Sequence, residues 1–376
     1  MIQLDHKVYN APGILLSVRK DKEKISHFTS GLSDIQKNIP IEPGQLFRCG
    51  LITRIFTVAI LLRLLDENAF NLDDPLEILA RKHQQDRGLL QVLVMQYPIL
   101  KPISVRELLN NTSGLPSFDK TIAYNEIFFK KPLKIWQVEN YLDVISGVDV
   151  RYQYGYEPGV RGYFRDSSTN FMIASLVIEA ICGLQTSEMM RELFREFSLD
   201  ESQYLSHGVM EKKLLPRMMH GYLPISHPYA AAFENFPELT YNGNKELCAY
   251  DVTMAYTVNG MGNAASVSTS SNLIRWMDQL MNCQVVINNF KQLFTGVPIR
   301  RESREQQDYY CLGFYKSMTK SFGEIIWAAG NSLGYSSFLG HSVQKNITFA
   351  LITNISRLHF GLHSEGLIPD MLKLIL

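Results

Sequence analysis

One arginine stands inside the most apolar stretch of the chain. Residues 47–65 read FRCGLITRIFTVAILLRLL, and their apolar residues recur at spacings of three and four, which indicates a helix. Only Arg54 and Arg63 interrupt the apolar surface of that helix, so we expect it inside the protein. Because a buried guanidinium requires an anionic partner, Arg54 is a candidate for pairing with a carboxylate or binding a substrate.

The sequence gives little sign of a metal site or of disulfide bonds. The chain has no C-x-x-C pair, and His220, His227 and His341 do not lie at metal-ligand spacing on a helix. The cysteines are scattered and odd in number, which predicts reduced thiols rather than disulfides: Cys49, Cys182, Cys248, Cys283 and Cys311. We therefore expect no metal site and no cofactor.

The overall composition narrows the possible partners. The chain has 376 residues, of which 46% are hydrophobic, with 37 Lys and Arg balanced by 37 Asp and Glu. This balance predicts neither a nucleic-acid partner nor an anionic membrane. The longest apolar run, FTVAILLRLL, is too short to span a bilayer, and the N-terminus lacks the pattern of a secretion signal. We expect a cytoplasmic protein, and no oligomer interface is evident.

Strand patterns at both ends flank a helical middle. Residues 12–30 predict a strand pair, and the last hundred residues alternate like strands, among them the segment Cys311 to Tyr315, before a terminal helix at 366–376. Between them we predict a short helix with a capping box at Ser104 and Glu107, a helix at 167–181 ended by Gly183, a helix at 187–197, and a serine-capped helix after Ser268. The irregular stretch 205–262 is a candidate lid or wall.

This order predicts an α+β fold in which the C-terminal strands return to the N-terminal ones. We expect one unit over residues 1–376. Its sheet layer covers approximately residues 1–70 and 260–376, and its helical layer covers approximately residues 71–259.

Six stretches carry a family resemblance when they are taken in this order. The chain resembles the serine β-lactamase and D-alanyl-D-alanine carboxypeptidase superfamily, in its class C and esterase-like branch. This resemblance implies a β-lactamase/transpeptidase-like fold, an antiparallel sheet flanked by helices with an inserted all-helical layer. The stretches are Ile41 to Gly50, Leu72 to Leu76, Val105 to Pro116, Glu157 to Glu179, Ala264 to Thr269, and Gly330 to Asn354.

The positions that the resemblance marks as catalytic hold other residues. The first family motif is S-x-x-K, nucleophile and base, and here these positions are Leu51 and Arg54. The second motif, Y-x-N or Y-S-D, aligns with Asp166 to Ser168. The third motif, K-T-G or H-x-G, becomes Ala328-Ala-Gly330, followed by Asn331.

These replacements argue against an acyl-enzyme. Leucine has no lone pair, and loss of the nucleophile in another serine hydrolase lowers turnover by a factor on the order of a million. Cys49 and Thr53 flank the position, but in this helix register they should point away from the pocket.

Part of the implied pocket survives these replacements. The resemblance implies an oxyanion hole made of two backbone N–H groups, which here belong to Leu51 and Asn331. It also places Asp166 opposite Arg54, so we predict an ion pair between them. Either this pair plugs a pocket that no longer works, or Arg54 binds an anionic or carbonyl substrate while Asp166 moves a proton.

Further residues are candidates for the pocket lining, among them Ser168, Trp327, Ala328 and Gly330. For Trp327, packing in the core is an equal alternative. Ser113 is expected in a turn. A cluster of tyrosines ahead of Asp166 forms an aromatic wall or supplies a replacement for the motif tyrosine: Tyr152, Tyr154, Tyr156 and Tyr163.

Two functions from different classes follow. The first is a non-hydrolytic protein whose pocket binds a small molecule, an acyl group, a peptide or a protein partner. The alternative is a repurposed enzyme that uses Arg54 and Asp166 for non-covalent cyclisation, isomerisation or elimination in a biosynthetic pathway. A residual esterase-type or peptidase-type hydrolase is the third possibility.

Overall fold

The computed structural model describes most of the chain. The described residues are 10–83, 88–131, 133–147, 150–206, 209–242, 246–255, 260–286, 288–299, 306–356 and 367–375.

An antiparallel sheet of nine strands forms one layer. Its order is β10-β11-β12-β13-β14-β15-β1-β2-β3, so strands from the two ends of the chain lie side by side. The strands are β1 Gly13–Lys20, β2 Ser26–Asp34, β3 Ile39–Pro40, β4 Phe47–Arg48, β5 Gln203–Tyr204, β6 Tyr222–Pro224, β7 Glu238–Asn242, β8 Glu246–Asp251, β9 Ser266–Ser268, β10 Val297–Pro298, β11 Gln306–Tyr310, β12 Tyr315–Thr319, β13 Gly323–Ser332, β14 Tyr335–Ser342 and β15 Ile347–Thr353. The predicted return of the C-terminal strands is confirmed by the pairing of β15 with β1.

Helices cover this sheet and fill the middle of the chain. They are α1 Thr53–Asp66, α2 Leu76–Lys82, α3 Leu89–Gln96, α4 Val105–Leu109, α5 Ile122–Lys130, α6 Val138–Ser146, α7 Ser168–Cys182, α8 Thr186–Glu196, α9 Ser270–Met281, α10 Phe290–Leu293 and α11 Leu367–Ile375. Together with the antiparallel sheet they confirm the α+β class.

Helix α1 lies at the centre of the larger core. Its residues from Thr53 to Leu62 are all buried, because sheet and helices surround it on every side. Phe56 packs against Phe194 of α8 and Trp276 of α9, with 5.0 Å between ring centroids in each pair. The near absence of a polar face in the sequence thus reflects a helix enclosed by protein.

The helix ends follow local chemistry closely. The Ser104 side chain accepts from the Glu107 backbone N–H and the Glu107 carboxylate accepts from that of Ser104, so the predicted capping box is present. Helix α7 ends at Gly183, whose φ of 68° suits glycine. One expected cap is wrong, since Thr269 rather than a serine caps α9.

The inserted region is not entirely helical, and in this detail the expectation was wrong. Within the stretch 205–262, strands β6, β7 and β8 form a small antiparallel sheet. Strand β6 has only three residues and ends in Pro224, so it shows no alternation that sequence analysis can detect.

Two further observations concern the C-terminal strands and the membrane test. The segment Cys311–Phe314, expected to begin a strand, is the turn between β11 and β12. Among the described residues, no single helix is long and apolar enough to cross a membrane. The bent pair α7 and α8 passes the same test by length and composition only.

A histidine links this small sheet to the end of β2. His220 Nδ1 lies 2.6 Å from Asp251 Oδ2, and its Nε2 lies 3.7 Å from Asp34 Oδ2. The hydrogen bond with Asp251 raises the pKa of His220 above 6.5 although burial and Lys37 oppose this. Burial alone would raise the pKa of Asp251, but hydrogen bonds from His220 and Thr253 outweigh it and lower that pKa below 3.8.

These shifts predict a pH window for the contact between His220 and Asp251. The raised pKa of His220 contributes stability that is complete below 6.5 and is lost as the pH rises through the folded value. The lowered pKa of Asp251 contributes stability above 3.8 that is lost as the pH falls through its folded value. We expect the coupling free energy of an H220Q/D251N double-mutant cycle, measured by urea unfolding, to be larger at pH 5 than at pH 8.5. Equal coupling at the two pH values would contradict this assignment.

Candidate functional site

The site begins where the chain enters α1. A 3-10 turn, Gly50–Ile52, precedes the helix and leaves Leu51 half-buried, while Arg54 in the first turn of α1 is 2% exposed. Strand β13 runs directly alongside this turn. The first turn of α1 and the exposed end of β13 therefore meet.

Two glycines allow that meeting. A Cβ on Gly330 would lie 2.0 Å from the Cys49 carbonyl oxygen, and one on Gly50 would lie 2.6–2.8 Å from the backbone of Asn331. Gly50 also has a φ of 56°, which other residues adopt at a cost. The two backbones can approach this closely only because neither position carries a side chain.

The hairpin geometry orients the Asn331 amide towards that turn. Strands β13 and β14 are joined by two residues, so Ser332 and Tyr335 form the hydrogen-bonded pair next to the turn. Asn331 and Ser336 then form a non-hydrogen-bonded pair, and the Asn331 N–H points away from β14. Pairing with β12 ends at Trp327, so this N–H projects past the end of β12 towards residues 50–52.

The Arg54 guanidinium is held on all its nitrogens. Its Nε donates to Asn263 Oδ1 at 2.8 Å, its Nη1 to Asp166 Oδ1 at 2.5 Å and to the Tyr310 hydroxyl at 3.3 Å, and its Nη2 to Asp166 Oδ2 at 3.4 Å. The Phe171 ring covers one face, with Cζ 4.6 Å from the ring centroid. The predicted ion pair with Asp166 is therefore confirmed, and the guanidinium has almost no surface left for a ligand.

The electrostatics of this cluster favour the charged arginine. Burial alone would lower the pKa of Arg54, but Asp166 and Tyr310 outweigh it and raise that pKa above its ordinary value. Burial raises the pKa of Tyr310 to about 12, although Arg54 works in the opposite direction. Arg54 consequently stays protonated and cannot accept a proton at neutral pH.

Asp166 is the accessible half of the pair. Its side chain is 42% exposed, against 3% for that of Arg54. Its Oδ1 also accepts from Asn111 Nδ2 at 3.0 Å, and Asn111 Oδ1 in turn accepts from Asn170 Nδ2 at 2.7 Å. The Asn170 side chain accepts from the Ser113 hydroxyl at 2.6 Å, so the carboxylate rests on a buried polar network.

Sequence analysis did not identify three residues of this site: Asn111, Asn263 and Tyr310. Asn111 has a φ of 58°, a conformation that asparagine tolerates, and Asn110-Asn111 in the loop after α4 was the one available signal. Asn263 and Tyr310 reach Arg54 from more than 200 residues further along the chain, without a local pattern that indicates their role.

Of the four tyrosines ahead of Asp166, two pack against each other and two are exposed at the surface. The Tyr156 hydroxyl accepts from the Ser117 N–H at 2.9 Å, and its ring packs at 5.4 Å from that of Tyr152. Tyr154 is fully exposed and Tyr163 is 62% exposed. Because the phenol beside Arg54 belongs to Tyr310, the structure does not place a member of this cluster at the guanidinium.

The other predicted lining residues are mostly covered. The Trp327 ring stacks between Tyr315 and Phe338, with centroids 4.2 and 5.2 Å away, and its Nε1 donates to Ser317 Oγ at 2.8 Å. It belongs to the core on the far face of the sheet, so core packing fits its position better than a place in the pocket. Ala328 is buried on the face that packs towards α1.

Residues near the start of α7 and of α1 are similarly enclosed. Ser168 is 3% exposed, and its backbone N–H donates to Ser117 Oγ at 2.8 Å. Thr53 Oγ1 accepts from the Ser266 N–H at 3.1 Å, and burial raises the pKa of Cys49. As the helix register indicated, Cys49 and Thr53 lie in the core. Within the described ranges, no group of three or more His, Cys, Asp or Glu could hold a metal ion.

Comparison with known proteins identifies the fold family. The Beta-lactamase family profile matches residues 2–364, nearly the whole chain. The chain belongs to the beta-lactamase family. Penicillin-binding protein 4* of Bacillus subtilis is 23% identical over 337 residues, an alignment that covers 87% of this chain and 65% of that protein. The chain thus spans slightly less than two thirds of the relative's length.

Solved structures show the same fold. D-amino acid amidase from Ochrobactrum anthropi SV3 superimposes with a TM-score of 0.72 at 18% identity, covering 98% of this chain and 97% of that one. A D-stereospecific amidohydrolase from Streptomyces sp. gives 0.70 at 20% identity, covering 92% and 90%. The penicillin-binding protein from Bacillus halodurans gives 0.68 at 16% identity, covering 93% and 94%. The predicted superfamily and β-lactamase/transpeptidase-like fold are therefore confirmed.

Because Arg54 is buried, loss of its partner should lower the free energy of unfolding more than loss of a partner in an exposed ion pair. Asp166→Ala leaves a buried guanidinium without its counter-charge and should destabilise the fold by about 2 kcal/mol, a value discounted because Asp166 is partly exposed. Glu77→Ala is the matched control, since it removes the exposed ion pair with Arg81 and should cost about 0.5 kcal/mol or less. Urea unfolding of both variants measures the difference. Equal costs would show that Arg54 does not depend on Asp166.

Proposed function

We propose that this member of the beta-lactamase family binds a small molecule, an acyl group or a peptide in the cleft above Leu51 and forms no covalent bond to it. The observation that carries this proposal is the state of Arg54. The acyl-enzyme mechanism of the serine β-lactamase and D-alanyl-D-alanine carboxypeptidase superfamily needs a nucleophile and a proton acceptor at the start of the helix that corresponds to α1. Leu51 supplies no attacking atom, and Arg54 is protonated and enclosed.

The binding half of the site supports the same proposal. The backbone of residues 50–52 lies against β13, and the Asn331 N–H points towards it. Amides at Leu51 and Asn331 would hold the carbonyl or carboxylate oxygen of a ligand, since backbone donors do not depend on the side chains that changed. The Asp166 side chain is 42% exposed, so a ligand held by these amides could also reach its carboxylate.

The structural neighbours suggest which ligands to test first. D-amino acid amidase from Ochrobactrum anthropi SV3 has been crystallised with L-phenylalanine amide and with D-phenylalanine. Amino acids and their amides are therefore the first candidate ligands for this cleft. A cytoplasmic location and a role in biosynthesis stay predictions from the sequence.

A repurposed enzyme is the second candidate function, and the exposure of Asp166 is the observation that favours it. A carboxylate that is 42% exposed at the position of the motif tyrosine can meet a ligand and exchange a proton with it. Asp166→Asn keeps the shape of the side chain and should leave the binding of phenylalanine amide largely unchanged if the site only binds. Loss of a catalysed turnover in this variant, with the fold intact, would instead establish the enzyme.

The proposal predicts that covalent probes fail. Intact-protein mass spectrometry after incubation with a fluorophosphonate and with benzylpenicillin should show an unchanged mass, because the cleft offers no activated hydroxyl. A penicillin-binding relative treated in parallel is the positive control. A stable adduct on any serine of this chain would refute the non-hydrolytic assignment, and peptide mapping would identify that serine.

A further inference from the structure

A cavity that shares no lining residue with the Arg54 cluster lies beside the end of helix α5. It has a volume of about 590 Å³ and opens between the segment after α5 and the stretch 230–236. This volume is within the range of small-molecule sites, roughly 300–1,000 Å³. Its lining residues are Lys130, Lys131, Leu133, Lys134, Ala231, Ala232, Glu234, Asn235 and Phe236.

The three lysines of this groove are held by a turn. The Lys131 N–H donates to the carbonyls of Ile127 and Phe128 at 3.0 and 3.1 Å, which ends α5. The Lys134 N–H then donates to the Lys131 carbonyl at 2.9 Å. Three cationic side chains therefore leave the backbone within five residues and border one cavity.

One of these lysines is positioned by an aromatic ring. The Lys134 Nζ lies 4.6 Å from the centroid of the Trp136 ring, and Trp136 is buried. A cation–π contact of this kind fixes the ammonium group at the rim of the groove rather than leaving it in free solution.

The charges of the groove are unbalanced. Its lining has three cations and one anion, Glu234. Among the described residues, no carboxylate lies within 4.0 Å of the ammonium groups of Lys130, Lys131 or Lys134. Like charges gathered in a concave surface repel each other and attract an anion.

The floor of the groove is apolar and rigid. Leu133 is 50% exposed at its edge, and Phe236 and two alanines complete the apolar surface. Phe236 packs at 5.1 Å against Phe233, which packs at 6.0 Å against Phe128 of α5. This aromatic cluster joins the two sides of the groove and keeps it open.

We propose that this groove binds a small anionic amphiphile. A carboxylate or phosphate head contacts the three ammonium groups, and a short hydrocarbon body covers Leu133 and Phe236. Charge complementarity selects the head, and the apolar floor selects the body. The site is separate from the cleft above Leu51 and does not rest on the function proposed for it.

Isothermal titration with octanoate tests this site on the full chain. The octanoate should bind, and octylammonium, which has the same tail and the opposite charge, should bind at least tenfold more weakly. Lys130→Gln, Lys131→Gln and Lys134→Gln together should weaken octanoate binding by at least tenfold. The matched control replaces three exposed lysines at the end of β1 and in the turn after it, Lys20, Lys22 and Lys24, by glutamine and should leave binding unchanged.

Several outcomes would overturn the proposal. Equal affinity for octanoate and octylammonium would show that apolar contact alone is responsible. Retention of octanoate binding in the triple variant, or its loss in the control, would place the anion elsewhere. Co-sedimentation with vesicles of phosphatidylglycerol, together with undetectable octanoate binding at millimolar concentration, would assign the lysines to a lipid surface instead.

Discussion

The buried charge of Arg54 is the constraint on which the site depends. Burying a guanidinium that projects from an enclosed helix costs folding free energy unless its N–H donors are paired. Here the partners come from distant parts of the chain. Asp166 at the start of α7 supplies the counter-charge, and Asn263 and Tyr310 supply the remaining acceptors. One residue thereby ties the central helix to the helical layer and to strand β11 of the sheet.

This arrangement separates the architecture of the family from its chemistry. The polar cluster occupies the place where the superfamily that this chain resembles keeps a base and a tyrosine, and its Arg54 guanidinium binds a proton too firmly to exchange it. The contact between the turn at Gly50 and strand β13 is independent of that cluster, because it is made by backbone and by two glycines. On the function proposed above, the pocket has no covalent reactivity and keeps donors that bind an oxygen.

The fold could be predicted from local patterns to a large extent. Three local predictions were confirmed: the capping box at Ser104, the helix end at Gly183 and the alternating C-terminal strands. The small sheet of β6, β7 and β8 escaped detection because its first strand is too short to show a period.

The site was predictable only where a charge stood out against apolar surroundings. Arg54 in a buried helix predicted an anionic partner, and the family resemblance indicated that this partner is Asp166. Asn263 and Tyr310 carry no such signal, since ordinary polar residues in loops and strands look alike before the fold brings them together. Trp327 illustrates a rule that was available: it lies three residues from Gly330 on one strand, so the two face opposite sides of the sheet.

We propose that the cleft above Leu51 keeps two backbone donors and offers no nucleophile. A crystal structure from acetate buffer, at a resolution that shows ordered solvent, tests it most directly. The account predicts an oxygen atom of acetate or water within about 2.7–3.2 Å of both the Leu51 and the Asn331 amide nitrogens, with no density joining it to a side chain. Amides already bonded to protein atoms, or density continuous with a serine, threonine or cysteine, would contradict it.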